Sequence, residues 1–122
     1  METAAPMSFL LVAAGGALGS MARHAVSLGA GALMGAAYPW GTLAVNVLGS
    51  AAIGALAARG LDGPARLFWI TGILGGFTTF SAFSLEAALL WERAPAWAAL
   101  YVAASLMLSL TAFAAAWSLA RA

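Results

Sequence analysis

The sequence predicts an all-α membrane protein of four transmembrane helices, on the strength of its composition, the spacing of its charges and the length of the runs between them. Of 122 residues, 64% are apolar and only 7% are charged, whereas a soluble domain carries about 25% charged residues to face water. The charges are Glu2, Arg23, Arg59, Asp62, Arg66, Glu86, Glu92, Arg93 and Arg121, too few to cover a water-facing surface. Between them lie uncharged runs at 3–22, 24–58, 67–85 and 94–120. At about 1.5 Å rise per residue, roughly 20 residues cross a hydrocarbon core of about 30 Å.

The first span is placed at 8–34. The preceding residues, 1–7, hold no Lys or Arg, and the apolar stretch exceeds the h-region of a cleaved signal peptide, so the span is expected to be retained. The run 24–58 is too long for one helix. Gly29, Gly31 and Gly35, followed by Tyr38, Pro39 and Trp40, mark a turn with interfacial aromatics. The second span is therefore 40–58, the third 66–91 and the fourth 95–120, together one domain over 1–122. Gly15 and Gly19 stand at GxxxG spacing, which serves close packing either within one bundle or between subunits.

With four spans, the termini and the loop between spans two and three share one side, which holds Arg59, Arg66 and Arg121. The other side holds Arg93, joined by Arg23 if that residue sits near the end of its helix. So weak a bias fits a single orientation, and it equally fits insertion both ways with antiparallel pairing.

Polar residues are costly in lipid, so their positions are informative. Thr42, Asn46 and Ser50 recur every four residues on one face of the second span. Interhelical hydrogen bonding and pore lining both account for such a stripe. Tyr101, Ser105 and Ser109 repeat the spacing in the fourth span, and each carries an O–H donor. Neither stripe contains a carboxylate, which suits an anion and offers nothing to hold a cation. In the third span, Gly72, Gly75 and Gly76 precede Thr78 and Thr79. Paired glycines beside β-branched residues weaken a helix, so a break near the middle of this span is expected. A break frees carbonyl oxygens that can hold a cation, and it is tolerated only where buried in protein or lining a cavity. Phe80 and Phe83 share a face just beyond it, and the positive edge of a phenyl ring can point at an anion. Glu86 is expected near one interface as a partner for an arginine. Arg23 is expected either to snorkel from a helix end or to draw anions to a pore mouth.

Other function classes are poorly served. There is no Lys and the net charge is +1, so no basic patch exists for nucleic acid. One His, no Cys and four scattered acids supply no acid–base pair, activated nucleophile or metal cluster for an enzyme. His24, beside Arg23, reads as an interfacial residue. A membrane scaffold would use the glycine-rich faces but leaves the polar stripes without a purpose.

Three strings carry a family resemblance: Gly15-Gly16-Ala17-Leu18-Gly19-Ser20-Met21-Ala22-Arg23, Gly41-Thr42-Leu43-Ala44-Val45-Asn46-Val47-Leu48-Gly49, and Gly75-Gly76-Phe77-Thr78-Thr79-Phe80-Ser81-Ala82-Phe83-Ser84-Leu85-Glu86. With them the chain resembles, over nearly its whole length, the Fluc (CrcB) family of fluoride channels. The resemblance implies a multi-pass protein of the bacterial inner membrane that lets fluoride leave the cell passively. It also implies an antiparallel, dual-topology homodimer enclosing two pores, its partners being a second copy of the chain, fluoride and membrane lipid. By position, Phe80, Phe83, Asn46, Ser81, Thr42, Tyr101, Ser105 and Ser109 look like pore-lining residues, with Arg23 and Glu86 at the entrance. Gly75 and Thr78 look like the residues whose backbone carbonyls hold a structural sodium ion between subunits, and no organic cofactor is implied. Phe113 departs from the pattern, standing where the fourth-span stripe would continue with a hydroxyl. Small multidrug exporters share the four-helix, dual-topology plan but place a glutamate in the first span, and 3–22 contains no acid.

Overall fold

The computed structural model describes residues 3–122, so Glu2 lies outside the described residues. Four helices are long and apolar enough to cross a membrane: α1 (Ala5–Met34), α2 (Trp40–Ala58), α3 (Gly63–Arg93) and α4 (Pro95–Arg121). Proline stands in the first turn of α1 and α4, where its missing N–H would have had no helical partner. Gly35 closes α1 with φ 79°, a left-handed geometry open to glycine, and donates its N–H to the Gly31 carbonyl at 3.0 Å.

α3 is a composite. An α-turn at Gly63–Arg66 leads into π-helical turns over Leu67–Leu74 and a last α-turn at Gly75–Phe77; helix resumes at Ser81–Arg93. Between them Thr78 is extended, with φ −83° and ψ 155°. The two parts of α3 have different neighbours: the part before Thr78 packs on α1, the part after it packs on α4, and α4 runs along α2. The chain therefore changes packing partner where its helical geometry lapses.

Glycine makes the α1–α3 contact possible. A Cβ on Gly15 would meet the Phe68 carbonyl at 2.5 Å and the Gly72 Cα at 2.9 Å, and one on Gly19 would run into the Ile73 carbonyl. Gly76 returns the contact against the Gly16 carbonyl and Ser20. The GxxxG spacing of Gly15 and Gly19 thus serves packing inside one chain, with backbone on backbone. Few apolar side chains are buried among the described residues. Val45, Leu74, Phe83, Leu90, Ala98 and Tyr101 form the interior, while residues such as Phe9, Leu33 and Leu119 face outward. Outward apolar residues are expected where the surroundings are lipid. At the far end of α4, the backbone of Phe113 lies against Gly54 and its ring stacks on Trp117 at 5.9 Å.

Two glycines three residues apart separate these effects. Gly19→Val forces the Ile73 carbonyl away and is expected to cost about 1–3 kcal/mol or to prevent folding, as overpacking does. Gly16→Ala meets nothing within 4 Å and is expected to leave thermal unfolding in detergent unchanged. Equal melting temperatures for the two variants would refute the close-contact assignment.

Candidate functional site

A helix ending at Phe77 leaves its last carbonyls without helical donors, and inside a membrane each must find another. Leu74 O accepts both the Thr78 N–H, at 3.0 Å, and the Thr78 hydroxyl, at 2.9 Å. Gly76 O accepts a bond from Arg23 Nε at 3.1 Å, which also sets a positive charge at the negative end of the helix. α1 runs on to Met34, so Arg23 lies inside its helix and not at the end.

The non-helical residues are held from α2. Asn46 Oδ1 accepts the Thr79 N–H at 2.8 Å, and Asn46 Nδ2 donates to Thr79 O at 2.9 Å. One amide side chain thereby pairs with a whole peptide edge, as a neighbouring β-strand would. Thr79 in turn starts the second part of α3, its Oγ1 accepting the Ala82 N–H at 3.0 Å in the manner of an N-cap. In an uninterrupted helix the Thr79 N–H would have served Gly75 O, and the Ala82 N–H would have served Thr78 O. Both donors are diverted to side chains, leaving those two carbonyls for another partner.

Beside this joint opens a cleft of about 260 Å³, walled by Asn46 and Ser50 from α2, Thr78 to Phe80 and Phe83 from α3, and Ser105, Leu106, Ser109 and Leu110 from α4. The hydroxyls of Ser105 and Ser109 are buried and have no hydrogen-bond partner. Buried polar groups are nearly always paired, so an unpaired one marks a place for water or an ion. Phe80 and Phe83 meet edge-on, centroids 5.6 Å apart at 62°. Phe83 is buried, whereas Phe80 is 73% exposed on a single chain.

A second cleft, of about 280 Å³, lies toward the α1–α2 loop and is lined by Ser27, Tyr38, Thr42, Glu86 and Arg93 among others. Tyr101 stands between the two. It is fully buried, its ring lies 5.2 Å from Phe83 and 5.5 Å from Tyr38, and its hydroxyl donates to Glu86 Oε2 at 3.1 Å. Glu86 is thus partnered by a tyrosine where an arginine was expected.

The structure brings Asn46, Phe80, Phe83, Ser105 and Ser109 to the first cleft. It places Thr42 and Glu86 in the second. Ser81 is exposed and lines neither; its Oγ is 3.4 Å from Thr79 Oγ1. Arg23 likewise lines neither, its Nε bonding the Gly76 carbonyl at the α3 joint. Sequence reasoning missed the double role of Thr79. The signal for it is a threonine three residues before Ala82, the spacing of an N-cap to the amide it receives.

A sequence profile described as "CrcB-like protein, Camphor Resistance (CrcB)" matches residues 10–117. The chain is similar to a protein of Rhizobium johnstonii named "Fluoride-specific ion channel FluC", 54% identical over 119 residues that cover 93% of this chain and 95% of the relative. A protein of the same name from Rhodopseudomonas palustris is 48% identical over 122 residues, covering 95% and 98%. A third, from Rhodospirillum centenum, is 56% identical over 106 residues, covering 82% and 84%.

Asn46→Ala removes both bonds to Thr79 and leaves a peptide N–H and C=O unmet, at about 1–3 kcal/mol for each unsatisfied group. The variant is expected to melt well below the parent protein in detergent. Ser50→Ala, on the same face of α2, is expected to melt close to it. An unchanged midpoint for Asn46→Ala would show that the amide bracket does not hold the joint.

Proposed function

The chain belongs to the CrcB family, and we propose on that footing that it is a fluoride-selective channel of the cell membrane, passing the ion down its gradient without enzymatic chemistry. The observation that carries the reading is the pair of unpartnered buried hydroxyls, Ser105 and Ser109, in a cleft that contains no acid. Fluoride is small and strongly hydrated, so a selective path must replace its water with donors. Hydroxyls from α4, the spare N–H of Asn46 and the edges of Phe80 and Phe83 supply several weak contacts, and conduction requires sites weak enough to leave. No full positive charge lines this cleft, so nothing there holds the anion too tightly. Thr42, Tyr101 and Glu86 carry the path on toward the second cleft.

The working unit in this reading is an antiparallel dimer with two pores. Supporting it are the weak Lys and Arg bias, the cleft left open along one side of a single chain, and the exposure of Phe80. A second copy would cover that side and bring its own aromatic edge to the path. The third helix is read as broken at 78–80. The extended Thr78 and the diverted Thr79 and Ala82 amides support this.

A sodium ion bridging the two copies fits the same residues. Gly75 O and Thr78 O have lost their helical donors, and carbonyl oxygens suit a hard cation of low charge. Among the described residues no cluster of His, Cys, Asp or Glu offers an alternative metal site. When bound, the ion would offset the negative end of the interrupted helix; holding the joint in shape falls to Asn46, Thr79 and Arg23.

Liposomes loaded with potassium fluoride or potassium chloride, with valinomycin to carry the counter-current, test the reading. Fast fluoride efflux with no chloride efflux is expected. Phe80→Ile is expected to abolish it, and the double variant Ser105→Ala/Ser109→Ala to slow it at least about tenfold, one lost donor network being worth roughly 1.4 kcal/mol or more. Silence from vesicles that contain folded dimer would overturn the channel. Unfolding measured in sodium against N-methylglucamine tests the cation separately: a higher midpoint in sodium is expected, and equal midpoints would dismiss the ion.

A further inference from the structure

A third depression, of about 390 Å³, adjoins the second cleft, with which it shares Tyr38, Trp40 and Arg93, where the α1–α2 loop meets the junction of α3 and α4. Its walls are Tyr38, Trp40 and Trp97, its floor includes Leu90, and Arg93 stands at its side. Tyr38 packs on Trp40 with centroids 4.7 Å apart and meets Trp97 edge-on at 6.2 Å and 80°. Leu90 is 2% exposed, while Trp40 and Trp97 are 41% and 57% exposed. The rings therefore form a fixed wall with open indole faces.

Arg93 is held in place here. Its Nη2 donates to the Ala37 carbonyl at 2.6 Å, which leaves the rest of the guanidinium fork free. Every polar side chain of the lining is a donor: the Tyr38 hydroxyl, the two indole N–H groups and Arg93. The lining contains no carboxylate. Glu86 belongs to the neighbouring cleft and is bonded to Tyr101, and Glu92 is exposed and lines neither depression.

We propose that Tyr38, Trp40, Arg93 and Trp97 form a binding site for the phosphodiester headgroup of a membrane phospholipid. The chemistry of the lining selects the ligand. A guanidinium beside several neutral donors takes a phosphate, and the positive charge of Arg93 with no acid beside it repels a cation. The position of the depression selects the source. It lies where α2 begins and α3 and α4 meet, at the ends of the spans and hence at the level of the lipid headgroups. Tryptophan and tyrosine settle at that depth, with apolar faces toward acyl chain and N–H or O–H toward the headgroup. A free phosphate would use Arg93 and leave the aromatic wall idle; a phospholipid uses both. Arg93 also lines the second cleft, so a lipid phosphate bound to it would lower the positive potential at that opening.

The test reads lipid binding and needs no ion flow, so its failure is distinct from failure of the channel reading. Purified protein is titrated with phosphatidylglycerol and with digalactosyl diacylglycerol, which lacks phosphate, and bound lipid is counted by native mass spectrometry. Phosphatidylglycerol is expected to remain bound under activation that strips the galactolipid. Arg93→Gln and, independently, Trp97→Leu are each expected to weaken its retention at least about tenfold. Arg66→Gln, at an exposed arginine remote from the aromatic wall in the sequence, is expected to leave it unchanged. Inorganic phosphate at millimolar concentration is expected not to displace the lipid. Equal retention in the parent and in both variants overturns the proposal, as does an equal loss in Arg66→Gln, which would mean diffuse charge attraction. Displacement by inorganic phosphate alone would make this a small-anion site and overturn the lipid assignment.

Discussion

A backbone amide in hydrocarbon has no water to fall back on, and in this molecule the consequences gather at residues 78–80. Helical geometry lapses there inside an otherwise apolar span. The lapse is sustainable because Asn46 brackets the Thr79 peptide, Thr79 caps the helix that follows, and Arg23 bonds the Gly76 carbonyl. Side chains from α1 and α2 thus converge on one short segment, joined by one of its own. The same bonds that satisfy it also determine which carbonyls are left without their helical donors.

Packing follows from this joint. Before it, α3 lies against α1 with glycine on both sides; after it, α3 lies against α4 through Phe83, Leu90, Ala98 and Tyr101. The change of partner falls at residues 78–80, and Phe80 and Phe83 line the cleft together with Ser105 and Ser109. Tyr101 then links that cleft to the next by filling the space between Phe83, Tyr38 and Glu86. Aromatic rings are suited to this because they fill volume while keeping an O–H or a ring edge available.

Several residues did not behave as their spacing implied. Arg23 invites either snorkelling from a helix end or a place at a pore mouth, but it lies inside α1 and its Nε bonds the Gly76 carbonyl. Glu86 invites an arginine partner, but its carboxylate accepts from a tyrosine hydroxyl fifteen residues away in sequence. Ser81 belongs to the most distinctive string in the chain and lines neither cleft on a single chain. In each case the deciding contact comes from another helix, and no periodicity within one helix can report it.

The sequence by itself determined the solvent, the number of spans and the membrane family. Sparse charge and long apolar runs leave lipid as the only compatible surroundings, and glycine, threonine and phenylalanine in a fixed order are a local record that survives without coordinates. The stripes of Asn46 and of Ser105 with Ser109 were legible for the same reason, since they follow helical periodicity. Only the tertiary structure decided which stripe is satisfied and which is open. Asn46 is engaged by Thr79, whereas the two serines have no partner. That difference depends on the distance and direction between helices. On the α2 side the approach is close, with Gly49 against Thr78 one turn from Asn46.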